Sequence, residues 1–444
     1  MGSGAPSMAF HRHDYPSAMA TTSKLFAFKL RCAMPLNREE GLRRLEAFTK
    51  SGLAAYAARR NSDLGPDHHH EVVSLLSPYL SRRLLVESEC IRAALAAFPQ
   101  DVVSKWIDEV IWRIYWRGWL EHRPTVWREY VYALEQLQKH GDKEKALDER
   151  ALYDHALYDR AIRGKSGIAC FDAWADELRT HGYLHNHARM WFASIWIYTL
   201  RLPWQLGAQF FLRHLIDGDP AVNTLSWRWV AGLHTQGKRY VATAENIKRC
   251  TDGRVTVRER LATDSEAASV SHLAFSLDPK PVASTGEVDN EVDNKAIDLT
   301  KETTLIVHAD DLYLEGSELK EAKVRQIIAI DPSELSQTLQ LSPLVTDALT
   351  QAVTDGAARA KAHFGAPLVW AKVGAIMEHV ERDQQLICMK PHRGYWSDAL
   401  SRVNAQVDLR YARRGMDTAL YPHATKGFFQ FRGAAWAQNF GMEA

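Results

Sequence analysis

Residues 182–229 read GYLHNHARMWFASIWIYTLRLPWQLGAQFFLRHLIDGDPAVNTLSWRW. Trp191, Trp196, Trp204, Trp227 and Trp229 alternate there with His185, Asn186, Arg189, Arg213, Asp217, Asp219 and Asn223. Apolar mass with a few placed polar groups is the composition of a cradle for a flat, partly polar ligand. Charges and Pro203 interrupt the stretch too often for it to span a membrane.

Upstream, residues 105–127 read KWIDEVIWRIYWRGWLEHRPTVW. Trp106, Glu109, Trp112, Arg113 and Trp116 are related by three and four positions, which predicts one helical face. A core helix with an aromatic stripe satisfies that pattern, but Glu109 and Arg113 lie inside the stripe, and buried charges need partners. Eleven of the fourteen tryptophans fall between Trp106 and Trp229. That density exceeds ordinary packing needs and points to stacking on planar ligands. Earlier still, residues 38–60 repeat apolar positions at helical spacing. In the next segment, Ser74 and Ser77 lie three apart near Arg82 and Arg83. Two hydroxyls beside guanidinium groups can hold phosphate oxygens, although serines near a helix start are more often caps. His68, His69 and His70 are adjacent and do not converge on one ion, so they read as a solvated or capping segment. Residues 131–163 read as further helix. GKSG at 164–167 lacks the upstream glycine and preceding strand of a phosphate loop, so that reading is rejected.

Downstream the texture changes. Residues 258–302 are polar and contain the duplicated tract EVDNEVDN, which makes them the linker candidate. TTLIVHA (303–309), RQIIAID (325–331), PLVWAK (367–372) and QLICMK (385–390) read as buried strands, with helices at 344–364 and 373–382 between them. This alternation predicts a parallel α/β domain. No GxGxxG follows its first strand, so a dinucleotide fingerprint is absent there. The chain thus divides into a tail (1–37), a helical domain (38–257), a linker (258–302) and an α/β domain (303–444).

Composition narrows the classes. At 444 residues with 46% hydrophobic side chains, two packed domains fit and global disorder does not. Five scattered cysteines without a CxxC suit a reducing compartment and give no zinc or redox motif. No signal peptide or transmembrane run is evident, so a soluble cytoplasmic protein without membrane or metal is expected. A tail with Asp14 as its single acid leaves organellar targeting as the alternative. Net charge is +1, but residues 1–260 hold 37 Lys and Arg against 29 Asp and Glu, whereas residues 261–444 hold 18 against 25. The basic half fits a polyanionic partner; ordinary surface variation fits equally.

SLLSPYL, DEVIWRIYW, GKSG, HGYLHNHARMW, LPW and LIDGDPAVNTLSWRW follow one another over residues 40–255 in an order and spacing that resemble the photolyase/cryptochrome flavoprotein family. The resemblance implies a mostly α fold: a helical FAD-binding domain followed by a smaller Rossmann-like α/β domain of antenna type, in reverse of the family's usual order. The ending YPHATKGFFQF is similar to a short, reordered branch. FAD is the implied cofactor; no residue identifies an antenna chromophore. Tyr56, Ser74, Leu76, Ser77 and Arg113 are implied at the FAD phosphates and ribitol, although Val73 and Leu75 stand where the family commonly has Thr and Arg. Asn186, Arg189, Asp217, Asp219 and Asn223 match the polar set around the flavin ring, with Asn223 facing N5. A buried Arg189–Asp217 pair would satisfy itself and hold the ring edge; the alternative for these residues is a purely structural ion-pair cluster.

Glu109, Trp112, Asn186, Met190 and Trp229 match positions facing a cyclobutane pyrimidine dimer. Asn186 and Met190 stand where relatives acting on the six-four photoproduct usually carry histidines. Trp227 and Trp204 match the inner members of a photoreducing tryptophan chain, whose outer member would fall near Ala151. Tyr153, Tyr158, Trp191 or Trp196 are the substitutes, with core packing the better reading of the last two. The resemblance implies a monomeric, light-driven lyase that repairs UV-damaged DNA, gripping phosphates with Arg82, Arg83, Arg117 and Lys238. A cryptochrome-type photoreceptor is the alternative.

Overall fold

The computed structural model describes residues 34–139, 153–234, 238–270, 296–380 and 384–438. Pro35–Ala444 belong to one compact unit. Its first half is helical. Helix α1 (Arg38–Ser51) starts where the Asn37 side chain accepts the Glu40 N–H at 2.8 Å, with Glu39 and Glu40 at the positive end of the helix dipole. Short α2 (Tyr56–Arg59) and α3 (Ser77–Ser81) follow, then α4 (Glu87–Ala97). The long α5 (Gln100–Glu121) is central. Val103, Trp106, Ile107, Val110, Ile111 and Ile114 are all buried, as expected of a helix packed on several sides. After α6 (Pro124–Lys139) and α7 (His155–Ile162) come α8 (Ala169–His181) and α9 (Asn186–Ser194), the latter continued by a π-helical turn, Ile195–Thr199. Helices α10 (Trp204–His214), α11 (Pro220–Val230), α12 (Ala244–Cys250) and α13 (Asp264–Val270) complete this half.

The second half is a five-stranded parallel sheet in the order β3-β2-β1-β4-β5. The strands are β1 (Thr303–Val307), β2 (Val324–Ile330), β3 (Leu368–Ala371), β4 (Gln385–Met389) and β5 (Leu409–Ala412). Every residue of β1 and β4 is buried, as continuous apolar runs in a covered parallel sheet require. In register, Leu305 pairs with Ile327 on one side and Ile387 on the other. Helices α14 (Ser333–Leu339), α15 (Pro343–Phe364) and α16 (Tyr395–Asn404) lie between its strands in the chain, and α17 (Gly415–Leu420) and α18 (Phe428–Trp436) follow and pack against α5. The halves are joined by direct bonds: the Ser342 N–H, at the cap of α15, donates to the Arg213 carbonyl at 2.8 Å.

Four expected strands form, and β5 was not foreseen. The segment expected to be helical at 373–382 is a 3₁₀ turn over Val373–Glu378. The linker candidate contains α13, and its residues 271–295 lie outside the described residues. Residues 131–163 fall into α6 and α7, with 140–152 outside the described residues. His69 is buried rather than solvated: its Nε2 meets Glu177 Oε1 at 2.9 Å, a partner no local reading reveals. At GKSG, the Ser166 and Gly167 N–H groups both donate to the Asp172 carboxylate, which gives that turn a structural purpose. None of the described helices is long and apolar enough to cross a membrane.

Candidate functional site

A cavity of about 430 Å³ lies between α5, α9, α11 and the segment 73–77, a volume suited to a cofactor-sized molecule. Helix α5 lends it Trp106, Glu109, Trp112, Arg113 and Trp116, the face its spacing defined. Helix α9 adds Asn186, Arg189 and Met190. Asp217, Asp219, Asn223, Trp227 and Trp229 come from the turn before α11 and from α11 itself; Tyr56, Ser74, Leu76 and Ser77 close another side. Of the sixteen residues that the resemblance implied at the flavin, the lesion and the inner electron chain, Trp204 is the one that does not line the cavity. Its ring stacks on Tyr130 at 5.6 Å, below the Arg228 guanidinium.

The acidic turn is built for two tasks. Asp219 caps α11: Oδ1 accepts the Val222 N–H at 3.1 Å, and Pro220 occupies the first turn. Its other oxygen accepts Arg117 Nε at 2.9 Å and Arg113 NH1 at 3.3 Å. Burial acts to raise the Asp219 carboxyl, but Arg117 and Arg113 outweigh it and hold the group ionised, below its ordinary range. Asp217 follows the same balance. Burial is overcome by Arg189, which binds it in a bidentate fork at 2.8 and 3.1 Å, and by the Ser77 hydroxyl. Arg189 is itself fixed by donating Nε–H to the Leu184 carbonyl at 2.9 Å. From behind, Ser81 Oγ donates to the Asp217 carbonyl and Arg82 NH2 to the Gly218 carbonyl, both at 2.8 Å. The acid-bearing turn is thereby held rigid.

Asn223 donates its Nδ2–H to the Ala208 carbonyl at 2.8 Å, which leaves Oδ1 as an acceptor on the cavity wall. Trp227 reaches the wall because residue 207 is glycine; a Cβ there would lie 2.3 Å from the indole. The buried Trp227 Nε1 has no hydrogen-bond partner among the described residues. Leu75 carries φ 53°, an uncommon conformation for a branched side chain, at the turn that presents Ser74 and Ser77. At the mouth, Glu109 is exposed and pairs with Arg60 at 2.5 Å. Its crowded surroundings raise its carboxyl, with Arg60 acting the other way. Asn186 and Met190 sit beside it, the Asn186 amide 3.9 Å from the Met190 sulfur.

One expectation needs correction. Arg82, Arg83 and Arg117 are buried, not surface grips for phosphates: each is enclosed by carboxylates and carbonyls. Of the four proposed grips, Lys238 alone is exposed. Ala151, the position of the expected outer tryptophan, lies outside the described residues. The sequence reading also passed over Arg60, Tyr183 and Phe211, which line the cavity. Tyr183 was detectable, since it sits within the quoted HGYLHNH run and packs beneath Arg189. Among the described residues no cluster could hold a metal ion.

An apolar floor, a fixed carboxylate–guanidinium edge and a hydroxyl-bearing turn define a helical protein with a pocket for a planar, phosphate-bearing cofactor. Residues 106–255 match the family model of the FAD binding domain of DNA photolyase. The deoxyribodipyrimidine photo-lyase of Escherichia coli is 28% identical over 214 residues, 46% of this chain and 41% of that protein. Its namesake in Thermus thermophilus is 31% identical over 213 residues, 46% of this chain and 44% of that protein. A class III photolyase structure from Agrobacterium tumefaciens covers 53% of this chain and 49% of its own at 23% identity, with a TM-score of 0.40. A Synechocystis cryptochrome structure covers 48% and 43% at 22% identity, with the same TM-score. The chain spans less than half the length of these curated relatives. The likeness to DNA photolyase thus lies in the FAD-binding part of the chain, residues 106–255.

Proposed function

We propose that the chain is a light-driven DNA repair flavoenzyme that splits cyclobutane pyrimidine dimers. The observation that carries this reading is the make-up of one cavity: a rigid Arg189–Asp217 edge and Asn223 deep within it, and aromatic and polar side chains at its mouth. The residues fit FAD. Arg113, Ser74 and Ser77 suit its phosphates, the Arg189–Asp217 pair suits the polar ring edge, and Trp227 leaves an indole N–H to spare. When bound, reduced FAD supplies light absorption and a one-electron donor.

The chain's own residues orient and enclose. Arg189 and Asp217 would hold the polar ring edge of the flavin, and the Asn223 Oδ1 would serve as an acceptor toward its N5. Trp112 and Trp229 form an aromatic wall for two flipped bases, and Glu109 and Asn186 offer hydrogen bonds to the base edges. Met190 fills the space between them and excludes water. The test is illumination of a dimer-containing oligonucleotide with the reduced, flavin-loaded chain. Light-dependent loss of dimers is expected; intact dimers after illumination, with flavin bound, would instead favour the cryptochrome-type photoreceptor.

Trp227 is the wall residue proposed to reduce oxidised flavin, with an external thiol as the final electron source. Two ring series adjoin this part of the core. One is the family-implied step to Trp204. The other runs from Trp227 to Trp196 (6.2 Å), Tyr158 (5.9 Å) and Tyr153 (5.8 Å). Trp227→Phe is expected to slow photoreduction in thiol-containing buffer. Comparison of Trp196→Phe with Trp204→Phe identifies the series in use, and an unchanged rate in Trp227→Phe contradicts both.

A further inference from the structure

Helix α18 lies outside the family-matched region yet borders the mouth of the cavity. The Phe428 ring lies flat on Trp112, centroids 3.6 Å apart and planes 6° from parallel, and Trp112 lines the cavity. The far end of α18 is pinned along α5: Arg432 Nε and Trp436 Nε1 both donate to Asp108 Oδ1, at 2.6 and 3.0 Å. The turn before the helix is pinned too. Tyr115 OH donates to the Lys426 carbonyl at 2.8 Å, and Arg123 NH2 to the Thr425 carbonyl at 2.7 Å. The whole segment is therefore a rigid rim on the side of the cavity formed by Trp112.

Phe429 stands on that rim. It is 84% exposed, the highest value among the four exposed large hydrophobic residues described, and its ring centre lies 6.0 Å from that of Phe428. Holding a phenyl ring in water beside a fixed aromatic wall is unfavourable for the free protein. Residues 418–438 contain no Asp or Glu; Arg432 pairs with Asp108 of α5, while Lys426 is exposed. A rigid ring close in the chain to that lysine complements a polyanion with apolar surface to cover.

We propose that Phe429 is a wedge for duplex DNA: it enters the gap that two extruded nucleotides leave in the base stack, while Phe428 backs Trp112 as the wall for the extruded bases. This rests on the repair reading above. Extruding nucleotides exposes the faces of the flanking base pairs, and an inserted aromatic ring restores part of the lost stacking. A damaged single strand has no duplex gap to keep open, so the wedge acts on duplex alone.

The test measures binding of the flavin-loaded, full-length chain to dimer-containing duplex, dimer-containing single strand and undamaged duplex by fluorescence anisotropy. A 2-aminopurine opposite the dimer reports unstacking. Phe429→Ala is expected to bind damaged duplex about ten-fold more weakly and the damaged single strand unchanged, with a reduced 2-aminopurine signal. Phe429→Trp is expected to keep wild-type behaviour. Because Phe429 is exposed, neither substitution opens a cavity in the core. If Phe429→Ala binds damaged duplex like wild type, or weakens on both DNA forms equally, the wedge is overturned while the repair reading stands. If the wild-type chain binds damaged and undamaged duplex alike, the repair reading fails and the wedge with it.

Discussion

Two regions of the molecule gather arginines and aspartates, and they put them to opposite uses. In the helical cavity, Arg113, Arg189, Asp217 and Asp219 stand around open volume. Beyond the C-terminal ends of β1 and β5, the same residue types close on each other. Asp311 accepts Arg414 NH2 at 2.6 Å, Arg414 Nε at 2.9 Å and Arg83 NH1 at 3.3 Å, and Arg83 NH2 donates to Asp417 Oδ1 at 2.7 Å. Strand β1 has β2 on one side and β4 on the other, so the point at which the strand order reverses falls beside it. Ligands of parallel α/β sheets bind at such a crevice. Here Arg82 and Arg83 of the helical half enter it: the Arg82 NH1 lies 3.8 Å from Asp310 Oδ1. Charge beside open volume does not by itself mark a site: Arg83 and Arg414 also line a second cavity of about 590 Å³, which lacks the tryptophan walls of the first.

The contrast can be broken most forcefully at the closed region. Arg83→Ala leaves Asp417 with an uncompensated buried charge while Asp311 keeps Arg414, and unfolding stability should fall by about 3–5 kcal/mol. Urea denaturation checks it; a loss under 1 kcal/mol would mean that the network is relaxed or hydrated. A smaller effect is expected at Glu121, at the end of α5, which meets Lys390 and Arg413 at 2.9 Å each. Burial acts to raise its carboxyl, but the two cations outweigh it and bring it from 4.5 down to about 2. A carboxyl depressed on folding stabilises fully above its unfolded pKa. That contribution, on the order of 2 kcal/mol, is lost as pH falls from about 4.5 toward 2. Between pH 7 and pH 3 the urea midpoint of wild type should drop further than that of Glu121→Gln; parallel curves would show that the pairing adds nothing.

The same contrast explains what could be read from the chain. Cavity residues were legible because they recur at helical spacing: Glu109, Trp112, Arg113 and Trp116 on one face, and Asn186, Arg189 and Met190 on another, need only a helix to bring them together. Strands β1 to β4 were legible as apolar runs. Strand β5 was not, because Leu409–Ala412 is a short edge strand with Arg410 at its centre. The fate of Arg83 was hidden as well. Its partners at 311 and 417 are more than two hundred positions away, and an arginine that meets DNA has the same local sequence as one that meets a distant aspartate. Phe428 sat in a quoted motif, but its use depends on where α18 docks.

The central claim is that the open, charge-lined volume is the flavin site. Flavin released by acid from the purified chain and quantified against protein tests it most directly, in wild type and in Asp217→Asn. Stoichiometric flavin in wild type is predicted, with a loss of about ten-fold or more in affinity once the Arg189 partner is uncharged. A wild-type chain that carries no flavin and takes up none, or an Asp217→Asn chain that binds it as tightly as wild type, would contradict the account.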